Sequence, residues 1–298
     1  MGIFFSILSP AIAGISNYID KIFLDKYKIL PVVITIYSGM AGFVIGLVIL
    51  FFTGFYPVDF RLTMIVLASG FLTNLYLLPY YKALTYDETS RVIPFFQSIP
   101  IFVLILSFLF LGETLSLKQY IGCFIIIFGS FMIALEKFDL KIFKIRPAFW
   151  LIMLSSFLYA ISVVLYKVGV EEIPFWHTLP YEGFGMILGS LAIFTYKDNK
   201  QIFLKQAKGF KKNIYVLLSI NEIIYVLARY TTYFALSLIS ASIVNVLSGF
   251  QPFFVLIFGI ILSLWFPKVL REVINKKVLF QKITSISLMF IGLYFIFS

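Results

Sequence analysis

The stretch YKALTYDETSRVIPFFQSIPIFVLI, Tyr81 to Ile105, returns in altered form 152 residues later as YFALSLISASIVNVLSGFQPFFVLI, Tyr233 to Ile257. With no gap, Tyr81, Ala83, Leu84, Ser90, Val92, Pro100, Phe102, Val103, Leu104 and Ile105 meet residues of their own kind, ten of 25 positions. Pro100 lands on Pro252, each inside apolar sequence that otherwise favours helix. A duplicated half accounts for this most simply, and an internal repeat decides architecture before other features. Breaks at matching places in two halves of a membrane chain point to a transporter and its binding site.

Composition fixes the solvent. The 298 residues are 61% hydrophobic and 13% charged, with a mean hydropathy of +1.01, against roughly 45–50% and about 25% for a soluble domain. No water-soluble fold could cover so much apolar side chain. At about 30 residues per span and loop, the length accommodates about ten crossings and no soluble domain. Apolar spans fall near 3–24, 31–53, 62–82, 91–111, 117–135, 148–168, 174–196, 213–237, 240–264 and 279–297, and the widest loop, Lys197 to Lys212, is basic and reads as interfacial. Residues 3–19 carry neither a preceding basic residue nor a small-residue cleavage site, so they read as a first membrane helix and not as a removable signal. The one cysteine, Cys123, excludes a disulfide framework and a thiolate metal cluster.

The first halves of the copies correspond more weakly. Gly14-Ile15-Ser16 followed by Lys21 matches Ala160-Ile161-Ser162 followed by Lys167, and after a two-residue adjustment Tyr37 and Gly39 match Tyr181 and Gly183. An odd number of crossings per copy turns the second copy over. The expected fold is an all-α integral membrane protein of ten transmembrane helices in two inverted five-helix repeats, residues 1–138 and 147–298.

The net charge of +10 sits in short runs between apolar spans, without interleaved exposed aromatics, so no nucleic-acid partner is expected. The loops after odd-numbered spans hold about 20 of the 24 basic residues, among them Lys141, Lys144, Arg146, the run Lys205 to Lys212 and the run Lys268 to Lys277. The even-numbered loops hold Arg61, Lys118 and Lys167. The positive-inside rule places the odd loops in the cytoplasm and both termini outside.

The run Ile99-Pro100-Ile101-Phe102 through Phe110-Leu111-Gly112-Glu113, followed by the span from Gly122 to Gly129, resembles the EamA-type domain of the drug/metabolite transporter superfamily, whose members carry two such domains. The resemblance implies a central substrate cavity walled by the first four helices of each repeat, with the fifth helix of each outside it. It also implies export of small metabolites by alternating access. The second copy departs from the pattern: Leu264-Trp265 stands where the first has Gly112-Glu113, and about 11 extra residues, including Glu272, precede span ten. The family's common orientation, with termini in the cytoplasm, is the reverse of the one the basic residues give.

Candidate site residues are the polar groups inside the spans. Arg91, Pro94, Gln97 and Pro100 share span four; Ser242, Asn245, Ser248, Gly249, Gln251 and Pro252 share span nine. Each reads equally as cavity lining or as close helix packing. In span eight, Asn221, Tyr225 and Arg229 form one helical stripe with Glu222 beside it. Glu222 and Arg229, seven residues apart, stand roughly 10 Å apart along the axis, so a solute, a water or another helix must bridge them; a structural ion pair of Glu222 with Lys21 or Lys82 is the alternative. Charges within the bilayer are costly and mark solute pathways or proton relays, which makes Glu222 and Glu182 the candidates for proton coupling. Asn17, Asp20 and Lys21 share a face of span one, where snorkelling to headgroups is the ordinary reading for the last two, and Lys167 matches Lys21. Asn74 and Tyr81, around Pro79, are further wall candidates, and His177, the only histidine, reads as interfacial. The pairs Gly42/Gly46 and Gly185/Gly189 have the spacing of close helix contact.

The function expected is secondary active transport of a small organic metabolite by alternating access, with proton coupling, in the plasma (inner) membrane, multi-pass, as monomer or homodimer. Expected partners are the small-molecule substrate and the lipid bilayer, with no cofactor and no metal. The alternatives are an intramembrane lipid-modifying enzyme using Glu222 and Arg229 and a non-catalytic membrane scaffold. The chain lacks HExxH, a glycine-flanked serine nucleophile and a phosphate loop, and a scaffold leaves charges within the spans unexplained. If polar side chains gather on a seam between two halves, then Gln97, Asn245, Glu222 and Arg229 must point inward.

Overall fold

A computed structural model of the chain describes residues 1–86, 89–135, 146–265 and 276–298. Among these residues there is no strand. The helices are α1 (Gly2–Asp25), α2 (Pro31–Thr53), α3 (Phe60–Leu75), α4 (Leu77–Tyr86), α5 (Thr89–Phe96), α6 (Ile99–Leu106), α7 (Leu117–Ala134), α8 (Pro147–Glu172), α9 (Phe175–Phe194), α10 (Lys197–Lys208), α11 (Lys212–Leu236), α12 (Ala241–Ser248), α13 (Gln251–Trp265) and α14 (Lys276–Phe297). Local chemistry sets several ends. Pro31 opens α2 where no amide proton is needed, and Asp59 caps α3 by accepting from the Arg61 amide at 2.9 Å. Ser116 and Gln119 form a capping box on α7. After α6 a π-helical turn, Ser107–Leu111, stops at Gly112, whose φ of +65° is left-handed backbone that glycine adopts freely.

Spans four and nine break at the same repeat position. Gln97 and Ser98 separate α5 from α6, and Gly249 and Phe250 separate α12 from α13. The amides at the two breaks bond three residues back, Gln97 to Pro94 and Ser98 to Phe95, Gly249 to Val246 and Phe250 to Leu247. All four bonds are related by the offset of 152 that aligns the sequences. Pro100 and Pro252 follow directly as second residues of the outgoing helices, a place where a missing amide proton costs nothing.

Nine helical spans among the described residues are long and apolar enough to cross a membrane. The sequence expectation of ten exceeds this by one, and the difference is α9. Over 20 residues α9 carries His177, Pro180, Glu182 and three glycines, which lower its apolarity although it is long enough. Its polar side packs along α2 and α3, while Trp176, Leu188 and Leu191 are exposed. The loop expected at Lys197 to Lys212 holds α10, a helix with no buried residue and acidic and basic ends matched to its dipole. Lys141, Lys144, Lys268 and Glu272 lie outside the described residues, as does the boundary near residue 138.

Helix packing exchanges partners between the halves. α1 packs on α11, α12 and α13, while α8 packs on α3, α4 and α6; α2 packs on α9, α6 on α12, and α7 on α14. Glycine makes the closest of these approaches possible. A Cβ at Gly183 would lie 2.7 Å from the Gly42 carbonyl and 3.2 Å from Gly46 Cα; at Gly189, 2.9 Å from Asn74 Cβ. Gly42, Gly46, Gly185 and Gly189 are thus packing residues, as their spacing implies. Gly183→Val should lower stability by about 1–3 kcal/mol through overpacking, measured as the thermal midpoint in detergent. Gly209→Ala, whose Cβ would meet nothing closer than 3.5 Å, should leave the midpoint unchanged; equal effects would contradict the close packing of α9 on α2.

Candidate functional site

α11 has two chemically opposite faces. Val216, Ile220, Ile223 and Leu227 are exposed, and Asn221, Glu222, Arg229, Thr232 and Tyr233 are buried. The apolar set recurs every three or four residues and so forms one stripe, turned toward lipid, and the polar set lies on the opposite side, toward α1, α2, α8 and α9.

The charges fall into two groups along that face. At one end Arg229 Nη2 lies 3.4 Å from Glu182 Oε2 on α9, with side chains 2% and 0% exposed. The contact is one of charge without hydrogen-bond geometry, since neither atom has a hydrogen-bond partner, nor has Arg229 Nε. The guanidinium also lies 5.4 Å from the ring centroids of both Tyr225 and Tyr230, an arrangement favoured by the ring quadrupole. Tyr233 donates to the other Glu182 oxygen at 3.1 Å. Its hydroxyl also meets Thr73 at 3.2 Å, and Thr73 meets Ser162 at 2.9 Å. Tyr166 stacks on Tyr233 at 3.6 Å between centroids.

At the other end Ser38 of α2 donates to Glu222 Oε1 at 2.5 Å, and Glu222 Oε2 is buried with no partner. Beside it Asn221 donates to Asp20 of α1 at 2.9 Å, Tyr81 donates to the same oxygen at 3.2 Å, and Ser16 donates to Asn221 at 2.9 Å. Asp20 is therefore not a snorkelling residue. Its position at the end of an apolar span suggested the headgroups, but α11 closes over it; Lys21, on the next helical face, and Lys82 are exposed. Neither of those lysines is the partner of Glu222, and the countercharge of Arg229 comes from α9.

The other candidates separate by location. Tyr225 joins the first group to the second, its hydroxyl 2.8 Å from that of Tyr76. Asn74 donates to the Thr35 carbonyl at 2.9 Å and accepts from Ser190 at 3.3 Å, tying α3 to α2 and α9. Gln97 is buried at the α5–α6 break, Gln251 is half-buried at the start of α13, and Asn17 is half-buried on α1. Asn245 is buried and donates to Ala241 of its own helix at 3.0 Å. The side chain of Arg91 lies outside the described residues. His177 stacks on Tyr56 at the end of α9. Gln97, Asn245, Glu222 and Arg229 all point inward.

Two polar contacts hold the turn between α11 and α12. Lys167 of α8 donates to the carbonyls of Leu236 and Ile239 at 2.8 and 3.1 Å, and pairs with Glu171 at 3.1 Å. Glu113, just past Gly112, accepts from the amides of Ala241 and Ser242 at 2.7 and 3.0 Å and from the Ser242 hydroxyl at 2.6 Å. Unpaired carbonyls at one helix end and unpaired amides at the next are satisfied by opposite charges from neighbouring helices. The sequence contained Glu113 only as a motif residue. Its partner sits 128 residues away, a distance no local pattern spans.

This arrangement of helices has known relatives. Residues 1–135 match the EamA-like transporter family. The family is one of membrane transporters, and the resemblance read from Ile99 to Glu113 lies inside the matched segment. A solved structure titled "Crystal structure of protein" is 13% identical with a TM-score of 0.70, covering 99% of this chain and 95% of that one, which shows a shared fold over both halves. No curated protein matches the chain. With nine membrane-length apolar spans among the described residues, the chain is a multi-pass membrane protein, and its buried charges lie where α1, α2, α9 and α11 meet.

Glu182→Gln leaves Arg229 buried beside a neutral amide, which should cost about 3–5 kcal/mol. Replacing both, as Glu182→Gln with Arg229→Met, should recover most of that loss. Thermal midpoints of the two single variants and the double variant in detergent give the coupling; additive losses would show that the pair does not act as one.

Proposed function

We propose that the chain is a secondary active transporter of a small organic metabolite, built from inverted repeats 1–138 and 147–298 and working by alternating access in a cell membrane. In this reading α9 is the tenth crossing, low in apolarity because it lines the pathway. The observation that carries the reading is that repeat-related residues make repeat-related contacts. With α1 offset by 146, α2 by 144 and α3 by 152, Ser16 with Asn221 corresponds to Ser162 with Ser69, and Ser38 with Glu222 corresponds to Glu182 with Gly70. The contact of Tyr81 with Asp20 likewise corresponds to that of Tyr233 with Tyr166. A twofold axis in the bilayer plane accounts for such exchange, and two halves so related can rock about a shared centre to expose it to either side.

Charges appear where the copies differ. Glu222 stands at the place of Gly70, Glu182 at that of Ser38, Arg229 at that of Leu77 and Asp20 at that of Tyr166. The frame is duplicated and the chemistry is not, which suits a pathway for one asymmetric solute. Asn17, Asn74, Tyr81, Arg91, Gln97, Tyr225, Arg229, Asn245 and Gln251 are proposed to contact or surround that solute. Glu222 is the better of the two candidates for coupling to protons, because Glu182 already has the Arg229 guanidinium beside it.

In proteoliposomes carrying an imposed pH gradient, Glu222→Gln should abolish gradient-driven accumulation of the solute. Glu182→Gln that folds should retain more of the pH response than Glu222→Gln. Accumulation by Glu222→Gln at the wild-type level would remove proton coupling through this residue.

A further inference from the structure

The buried charges of the seam do not balance. Asp20, Glu182 and Glu222 are buried, and Arg229 is the one buried guanidinium among the described residues. Lys167, the other buried cation among the described residues, is committed to Leu236, Ile239 and Glu171. Arg229 lies against Glu182, so the excess negative charge belongs to the Asp20–Glu222 end. There, Asp20 adds to the negative potential at Glu222, and Glu222 Oε2 is buried and unpartnered. An uncompensated carboxylate in a low-dielectric interior is unfavourable, and a cation that reaches it is correspondingly favoured.

The surroundings of Glu222 select the kind of cation. Tyr225 lies one turn further along α11, hydrogen-bonded to Tyr76. Tyr76 packs edge-on to Tyr159 at 4.8 Å, Tyr80 packs on Phe96 at 5.0 Å and on Tyr81 at 5.1 Å. Aromatic faces attract cations and bury apolar frames. Among the described residues no three His, Cys, Asp or Glu side chains converge as metal ligands, so the surroundings fit an organic cation and not a metal ion. A carboxylate-bearing solute would have to approach Arg229, where Glu182 would repel it.

Resting on the transporter reading above, we propose that the solute is a small organic amine, its ammonium seated at Glu222 and its apolar body against Tyr225, Tyr76 and Tyr80. Phenethylamine, phenylalanine and 3-phenylpropionate share a phenylethyl frame and differ in charge, which makes them suitable probes. Of the three, only phenethylamine should raise the thermal midpoint of the purified protein in detergent, since a ligand that binds the folded state stabilises it by mass action. Glu222→Gln, shown to be folded by size-exclusion chromatography, should weaken phenethylamine binding at least about tenfold in calorimetric titration. Tyr225→Leu, which keeps the carboxylate, should weaken it roughly threefold to thirtyfold and serves if Glu222→Gln does not fold. No stabilisation by phenethylamine, equal stabilisation by phenylalanine or 3-phenylpropionate, or amine affinity unchanged in the variants overturns the proposal. Counterflow in proteoliposomes separates it from the transport reading. Amine binding without counterflow of labelled amine contradicts transport and keeps the cation site, whereas counterflow of phenylalanine or 3-phenylpropionate without that of the amine keeps transport and overturns the substrate class.

Discussion

A carboxylate and a guanidinium buried in a membrane protein need each other or some other partner of opposite charge, and the contact between Glu182 and Arg229 is the constraint the seam is built around. It requires α9 and α11 to be brought together inside the bundle, away from acyl chains. α9 is too polar along one side to face lipid, so α2 and α3 cover that side. They do so with glycines: Gly70 lies against the Glu182 carbonyl, Gly42 and Gly46 against Gly183, and Gly39 against Met186 and Ser190. The lipid-facing stripe of α11 then follows from geometry, because a helix that turns Arg229 and Glu222 inward turns Ile223 and Leu227 outward.

The two stretches that align at an offset of 152 residues supply the frame on which this is laid. The breaks at Gln97–Ser98 and Gly249–Phe250 fall at equivalent places, so two helices are interrupted near the contact between α6 and α12. Positions related by offsets of 146 and 152 residues touch one another through different bonds: Ser16 bonds Asn221 where Ser69 bonds the Ser162 carbonyl, and Tyr81 bonds Asp20 where Tyr233 stacks on Tyr166. The device at the α11–α12 turn shows where the copies part company: Lys167 is matched by an exposed Lys21, and Glu113 is matched by Trp265. One turn is thus held by a carboxylate and an ammonium for which the other copy has no equivalent pair.

Much of this was legible in the primary structure, for physical reasons that also mark where legibility ended. Composition and span length give a membrane protein because lipid admits little else. Proline inside an apolar run marks a break because it lacks an amide proton. Glu222 and Arg229 are conspicuous because charge in lipid is expensive. The partner of Arg229 was hidden, since Glu182 is 47 residues away on α9 and nothing local joins them. The burial of Asp20 is not legible in the sequence because its position near a helix end says nothing about what closes over it. A signal for both is present: along the aligned stretches, Asp20, Glu182, Glu222 and Arg229 are among the positions where one carries a charge and the other an uncharged residue, here Tyr166, Ser38, Gly70 and Leu77.

The central claim is that the polar face of α11 lines a wet path while its apolar face meets lipid. Reactivity of single cysteines toward a membrane-impermeant methanethiosulfonate reagent tests it most directly, in a Cys123→Ser background that removes the one native thiol. Tyr225→Cys and Asn221→Cys should react from the aqueous phase, and Ile223→Cys and Leu227→Cys should stay unmodified. Modification of the latter two at equal or greater rates would contradict the account.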